Sequence, residues 1–205
     1  MTQRDDNWFR ARAGKFTGSR FSELMAKTNN GPSASRKNLI TRLAIERLIG
    51  TCVETYSNFA MQRGIELEPE AIKAYEDENL VAVERVDFVD HPDFDFIGCS
   101  PDGFVGDDGL VEVKCPVAEA KHYEALRFGA HAVEYKWQLQ GQLWVTDRAW
   151  VDAVSYDPRF SGLELAITRV ERDEAAIEEL QAECIAAQDE VTEQLEWFTE
   201  RRKAA

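Results

Sequence analysis

Three charged side chains that could act together fall within a short stretch of this 205-residue sequence, GCSPDGFVGDDGLVEVKCP at residues 98–116. They are Asp102, Glu112 and Lys114. Two carboxylates beside an amine are typical of two situations. One is a solvated strand surface with an ion pair. The other is a site in which the acids bind a divalent cation and the amine acts on a bound water.

The segment GDDG at residues 106–109 predicts a β-turn between two short β-strands. With the turn centred within it, Gly103 pairs with Glu112, and Asp102 lies diagonal to Glu112. Paired strands are about 5 Å apart, so the two carboxylates can share one cation. Glu112 and Lys114 are two residues apart and therefore point to the same face of their strand, while the neighbouring valines point to the core.

An amphipathic edge strand with a surface ion pair is the simpler alternative on spacing alone. The residues that flank the hairpin argue against it, because they are small or apolar: Gly98, Cys99, Pro101, Cys115 and Pro116. A Ser-Pro bend also precedes Asp102 and restricts its direction. These features favour a packed site over a free edge.

Helices and strands elsewhere in the chain have to position this hairpin. Hydrophobic spacing and capping residues predict helices at about residues 17–27, 36–49, 69–79, 117–128, 132–145 and 172–202. Alternating patterns predict strands at about residues 80–92, 94–100, 103–105, 110–114, 150–156 and 163–170.

This order of elements predicts one α/β domain over residues 1–205, with a central mixed β-sheet flanked by α-helices. The helical N-terminal part covers about residues 1–79, the sheet core about 80–170 and the C-terminal amphipathic helix about 172–202. A chain of this length is large enough for a well-buried core.

The formal net charge is −14, which taken alone argues against a nucleic-acid partner. The charge is uneven, however. Residues 1–50 hold ten bases against four acids, a net +6, and residues 164–205 hold five bases against twelve acids, a net −7. A chain polarised in this way can present a basic wall to a polyanion and turn its acidic part to water.

Neither a membrane-spanning run nor a signal-peptide core is visible in the sequence, and no membrane partner is expected. The four cysteines form no CxxC pair, so they are expected to be free thiols in a reducing cytoplasm.

The pattern P-D-x9-E-x-K around the hairpin resembles the PD-(D/E)xK nuclease superfamily. More narrowly, the chain resembles the bacteriophage lambda exonuclease (YqaJ-type) family. Five blocks appear in family order over residues 8–172: WFRARAGKFTGSRF, GIELEPEAIKAYE, CSPDG followed by LVEVKCP, YKWQLQGQLWVT, and SYDPR. The resemblance implies a restriction-endonuclease-like core.

The resemblance also implies a Mg²⁺ site, in which Mn²⁺ can substitute. Asp102 and Glu112 would supply carboxylate oxygens, and the carbonyl of Val113 is a natural third ligand because it lies between the two side chains of the strand. Lys114 would lie against the attacking water, where it helps to orient or deprotonate the water and offsets charge on the phosphate.

By resemblance, Glu68 completes the metal site, with its neighbours Glu66 and Glu70 as alternatives. The other interpretation is that all three favour a helix N-terminus through the helix dipole.

Gln138 matches the family's glutamine near the catalytic water, with Gln140 and Gln142 as its nearest competitors. A polar helix face is the alternative for this residue.

Arg12 and Ser19 match residues that hold the terminal 5′-phosphate in this family, and Ser100 can also contact phosphate. A guanidinium forms bidentate pairs with phosphate oxygens, and a hydroxyl near a helix start adds a donor. Three more N-terminal cations are candidates for contacts with the duplex backbone: Arg10, Lys15 and Arg20.

The implied function is that of a Mg²⁺-dependent 5′-to-3′ exodeoxyribonuclease acting on the ends of linear double-stranded DNA. It would release mononucleotides and leave a 3′ single-stranded overhang for recombination. The resemblance further implies a ring-shaped homotrimer, a single-strand annealing protein as partner, and the cytoplasm of a bacterial or phage-infected cell. Two alternatives remain: a restriction-like or repair endonuclease of the same superfamily, and a catalytically inactive DNA-binding or assembly protein.

Overall fold

The structure is a computed structural model that describes residues 6–29, 31–53 and 59–204. The helices of these ranges are α1 (Asp6–Arg12), α2 (Gly18–Met25), α3 (Ala34–Ile49), α4 (Phe59–Asn79), α5 (Glu119–Phe128), α6 (Ala130–Glu134), α7 (Lys136–Thr146) and α8 (Glu174–Ala204). The helix predicted at 36–49 is confirmed together with its caps. Ser33 accepts a hydrogen bond from the Arg36 amide, and Gly50 ends the helix with a left-handed φ of 75°.

The strands of the same ranges are β1 (Phe16–Thr17), β2 (Lys27–Thr28), β3 (Gly31–Pro32), β4 (Val83–Glu84), β5 (Val89–Asp90), β6 (Ile97–Cys99), β7 (Gly103–Val105), β8 (Gly109–Lys114), β9 (Trp150–Tyr156) and β10 (Leu165–Glu171). The main sheet has the order β10-β9-β8-β7-β4, with β8 and β9 parallel and the other pairs antiparallel. A second sheet has the order β1-β6-β5, and β2 pairs with β3. The predicted mixed sheet flanked by helices is confirmed.

The predicted hairpin is formed by β7 and β8, with a register one residue away from the expectation. Its loop has three residues, 106–108, and the first, a glycine, has a left-handed φ of 56°. Gly103 therefore pairs with Val111 and not with Glu112. Asp102, the next residue along the ladder, comes level with Glu112 rather than diagonal to it, which brings the two acids closer than predicted.

Strand β8 is the middle strand of the main sheet, and both of its faces are covered. Val111 and Val113 lie in a hydrophobic cluster with α4, while Leu110 lies in a cluster with α7. Glu112 shares the α7 face with Leu110, because side chains alternate along a strand. Only 2% of Glu112 is exposed, so the alternative of a solvated edge strand is wrong for this segment.

Helix α4 begins at Phe59, ten residues before the Pro69 that was predicted to start it. A proline inside a helix removes one backbone hydrogen bond, so prolines are more common in the first turn of a helix. Here the helix continues on both sides of the proline, and its second half packs against the main sheet through Ala71, Ile72 and Tyr75. Tertiary packing therefore outweighs the local proline signal.

Two other predicted elements are divided in the structure. The strand predicted over residues 80–92 contains only the short strands β4 and β5, which belong to different sheets. The helix predicted over residues 132–145 is interrupted at Tyr135, whose φ of −103° and ψ of 18° separate α6 from α7. In both cases the local hydrophobic pattern continues across a point at which the backbone changes its packing partner.

The acidic helix α8 packs beside the basic N-terminal part of the chain. Its carboxylates form ion pairs there, including Glu190 with Arg36 at 2.7 Å and Glu179 with Lys27 at 3.3 Å. The acidic part therefore meets the basic part as well as water, and the two oppositely charged segments partly neutralise each other. A separate observation concerns hydropathy: no helix within the described ranges is both long and apolar enough to cross a membrane.

Candidate active site

A cleft of about 1280 Å³ opens beside the C-terminal end of β8. Its walls come from α1, α2, α4, α7 and the β7–β8 hairpin, elements that are far apart in the sequence. All the site residues predicted from the sequence line this cleft: Arg12, Ser19, Glu68, Ser100, Asp102, Glu112, Val113, Lys114 and Gln138.

The Glu112 carboxylate lies at the buried end of this cleft and accepts three hydrogen bonds. Lys114 Nζ and Gln138 Nε2 each donate to Oε1 at 2.5 Å. Gln142 Nε2 donates to Oε2 at 2.6 Å. A buried carboxylate needs such partners, because burial without them disfavours its charge.

Asp102 lies beside Glu112 at the end of β7, and its Oδ2 accepts the Val113 amide at 2.7 Å. The N–H and C=O groups of a strand residue point to the same side, so the Val113 carbonyl is directed toward Asp102 as well. Burial, and then the charge of Glu112, raises the pKa of Asp102 well above its ordinary value. Two acids are therefore held together against their mutual repulsion.

Lys114 completes the central group. Burial opposes its charge, but the Glu112 and Asp102 carboxylates outweigh this effect and raise the pKa of Lys114. The ammonium lies 5.0 Å from the centroid of the Tyr135 ring, and that ring packs against His131 at 4.9 Å. In this state Lys114 is a protonated hydrogen-bond donor.

Glu68 on α4 faces the cleft, where its Oε1 accepts a hydrogen bond from Arg85 Nη1 at 2.6 Å. The other two candidate glutamates do not line the cleft. Glu66 bonds to a glutamine of its own helix, and Glu70 accepts from a tyrosine of β9. Of these three glutamates, Glu68 is therefore the one that the fold directs to the site.

The oxygen atoms of the cleft fit a hard divalent cation. Among the described residues, no three His, Cys, Asp or Glu side chains meet at metal-binding spacing. Mg²⁺, however, is commonly bound by one or two carboxylates and keeps several waters. Asp102, Glu112 and the Val113 carbonyl offer such a set, and the crowding that raises the pKa of Asp102 is relieved by a positive charge between the acids.

The predicted phosphate-binding residues are connected by Trp8 at the other end of the cleft. Arg12 Nη2 donates to Thr17 Oγ1 and Ser19 Oγ, both at 3.3 Å. The Arg12 guanidinium also stacks 4.1 Å from the centroid of the Trp8 ring, and the indole N–H donates to Ser100 Oγ at 3.0 Å. The role of Trp8 was missed from the sequence, although its spacing of four residues from Arg12 on one helix was a usable signal.

Of the three further cations predicted to contact the duplex, Arg20 is misassigned. It is buried and forms a bidentate pair with Glu46, at 2.9 and 2.6 Å. A cation held in this way is not available to a phosphate. Lys15 forms an ion pair with the exposed Asp90, and Arg10 is exposed. Exposed ion pairs are weak, so the interpretation of Lys15 and Arg10 stays open to test.

The three glutamines of α7 have different roles. Gln138 and Gln142 both donate to Glu112, while Gln140 bonds to the Glu171 carbonyl and the Asp173 amide, away from the cleft. Residues four apart lie on one helix face, so the spacing of Gln138 and Gln142 predicts this arrangement in hindsight. From the sequence, Gln142 was only an alternative to Gln138, whereas in the structure both contact the same carboxylate.

Comparison with solved structures agrees with this fold. The alkaline exonuclease of Laribacter hongkongensis is 41% identical, with 98% of this chain and 100% of the exonuclease chain covered at a TM-score of 0.89. One of its two crystal structures is a complex with dAMP. A phage-related exonuclease of Haemophilus somnus 129PT is 18% identical at a TM-score of 0.73, with 90% of this chain and 96% of that chain covered, and so shares the fold alone. The fold and site thus define a phage-type, exonuclease-like α/β protein.

The model of the YqaJ-like viral recombinase domain matches residues 7–149. The chain belongs to this family, and the family resemblance inferred from the sequence motifs is confirmed. A search of curated proteins found no significant match. The family and the exonuclease relatives support a nuclease role for this chain.

Proposed function

We propose that this protein is a Mg²⁺-dependent exodeoxyribonuclease that degrades one strand of linear double-stranded DNA from its 5′ end. It would release mononucleotides and leave a 3′ single-stranded overhang. One observation carries the proposal: a single cleft contains two adjacent carboxylates and a lysine, with a guanidinium and two hydroxyls at its far side. Such a cleft can hold a terminal phosphate while the next phosphodiester is hydrolysed.

Arg12, Ser19 and Ser100 would bind the terminal 5′-phosphate. The guanidinium supplies paired N–H donors, and its stacking on Trp8 limits the orientations that it must give up on binding. A neutral hydroxyl on each side adds a donor to a phosphate oxygen. These groups would set the distance between the end of the strand and the bond that is cut.

Asp102, Glu112, the Val113 carbonyl and Glu68 would hold the divalent cation, which when bound polarises the scissile phosphate and makes water a better nucleophile. For Glu68 to take part, its hydrogen bond with Arg85 has to open or be shared. Mn²⁺ fits the same oxygen donors and is expected to substitute.

Lys114 and Gln138 would act on the attacking water and on the charge that develops at the phosphate. Both already donate to Glu112 Oε1, so their N–H groups converge on one point of the cleft. As water attacks phosphorus, the bond to the 3′ oxygen of the terminal nucleotide breaks and that oxygen takes a proton. The shortened strand then ends in a new 5′-phosphate, which the Arg12 group can bind for the next cycle.

Assembly is part of the same proposal. A ring-shaped homotrimer, as implied by the family resemblance, would place cleft walls around DNA and leave much of the −14 net charge outside. A single-strand annealing protein would take over the 3′ overhang. The cytoplasm of a bacterial or phage-infected cell is the expected location, since DNA ends and such a partner meet there.

The test uses 5′-phosphorylated linear duplex, the same DNA as a closed circle, and the Lys114→Ala variant as control. We expect the wild type to release mononucleotides from the linear form alone and only with Mg²⁺. The Lys114→Ala variant should release them far more slowly. Cutting of the circle would identify an endonuclease instead. DNA binding without any cleavage would identify an inactive DNA-binding protein. Normal release by Lys114→Ala would refute the assignment of the site.

A further inference from the structure

Gln142 lies behind the candidate site on α7, one turn beyond Gln138, and none of its surface is exposed (0%). Its Nε2 donates to Glu112 Oε2 at 2.6 Å, whereas Lys114 and Gln138 both donate to Oε1. Gln142 is therefore the partner of the second carboxylate oxygen. Without it, the carboxylate could rotate about its terminal torsion, which has a broad energy minimum.

The other end of the Gln142 amide has no evident structural purpose. Oε1 is buried and has no hydrogen-bond partner among the described residues. A carboxylate can only accept, so the NH₂ group must face Glu112 and Oε1 must point away from it. Leaving a buried acceptor unsatisfied costs free energy, and a methionine of similar length would avoid that cost. The amide is therefore placed for its contact with Glu112, and its other end stays unsatisfied.

We propose that Gln142 is a positioning residue, which fixes the direction of the Glu112 carboxylate and so prepares it to bind a divalent cation. This inference rests on the proposed metal site. A carboxylate that is already ordered loses less freedom on binding, and partners of metal ligands commonly change metal affinity by about 10- to 100-fold. Among the described residues, the side-chain hydrogen bond that Gln142 donates goes to Glu112.

Gln140 provides a matched control on the same helix. It is also buried, with 2% exposed, but its amide is fully engaged in the scaffold, donating to the Glu171 carbonyl at 2.8 Å and accepting from the Asp173 amide at 2.9 Å. The two glutamines thus share residue type, helix and burial. They differ in whether the amide contacts the site.

The experiment measures two properties of the full chain: Mn²⁺ binding by isothermal titration without DNA, and unfolding by urea in the presence of a chelator. For Gln142→Met we expect Mn²⁺ affinity to fall about 10- to 100-fold. Its urea midpoint is not diagnostic, because loss of the bond to Glu112 and relief of the unsatisfied Oε1 act in opposite directions. For Gln140→Met we expect an unchanged Mn²⁺ affinity and a lower midpoint, because two scaffold hydrogen bonds are lost.

Wild-type Mn²⁺ affinity in Gln142→Met would overturn the proposal, as would an equal loss of Mn²⁺ affinity in Gln140→Met. If Gln142→Met does not fold, Gln142→Asn decides, because it keeps the amide but its shorter side chain no longer reaches Glu112. Undiminished Mn²⁺ binding by Gln142→Asn would then refute the positioning role. If the Asp102→Asn variant binds Mn²⁺ as tightly as the wild type, the metal site and this inference are refuted together.

Discussion

His131 is expected to make the protein sensitive to acid. It lies on α6 with 9% of its surface exposed, and its Nε2 has no hydrogen-bond partner in the part of the chain that the structure describes. Burial, and then the positive charge of Lys114, lowers the pKa of His131 from 6.5 to about 3. Between these two values the unfolded chain binds a proton that the folded chain does not, so stability falls as the pH is lowered through this window.

The size of the effect follows from the two pKa values. Each pH unit below about 6.5 costs about 1.4 kcal/mol, so at about pH 5 the loss is about 2 kcal/mol, and it stops growing below about pH 3. His131→Phe keeps an aromatic ring against Tyr135 but removes the titration. The variant should therefore lose about 2 kcal/mol less than the wild type between about pH 8 and about pH 5.

Urea unfolding of both proteins at several pH values measures this difference directly. Other groups also titrate. The lowered pKa of His91 acts in the same direction as that of His131, and the raised pKa of Asp102 acts in the opposite direction. Their contributions are common to both proteins and cancel when the two curves are subtracted. If the free energies of unfolding of the two proteins run parallel from about pH 8 to about pH 5, the reasoning about His131 is wrong.

Three further predictions concern the cleft. Lys114→Ala should lower the turnover rate by about 10²- to 10⁴-fold while DNA affinity changes little, because its role is in the chemical step; gel-shift and single-turnover assays together check this, and a matching loss of affinity would contradict it. Arg12→Lys keeps the charge but loses the paired donors and the stacking on Trp8, so KM for 5′-phosphorylated ends should rise about tenfold, with no comparable rise for ends that lack the phosphate. Adding Mg²⁺ at about 100 times its Kd should raise the free energy of unfolding by about 2.7 kcal/mol in the wild type but not in Asp102→Asn, as measured by urea titration; equal gains in both would place the cation elsewhere.

Local patterns in the sequence were sufficient for much of the fold. The turn residues between β7 and β8 predicted the hairpin, and the alternation along LVEVK predicted which side chains face the core. The motif blocks predicted the family and named nine residues that line one cleft. Turn chemistry and strand alternation act over a few residues, so they can be read without knowledge of the partners. That residues 1–205 form a single domain stays a prediction.

The tertiary structure decided what depends on partners distant in the chain. It selected Glu68 over its neighbours, because the rotation of α4 against the sheet determines which side of the helix meets the cleft. It withdrew Arg20 from substrate binding by burying it against Glu46, 26 residues away. It also placed the Gln142 side chain where its amide donates a hydrogen bond to Glu112. Charge, polarity and residue type are properties of the sequence, but whether a polar group meets solvent, a scaffold partner or a reacting centre depends on the elements packed against it.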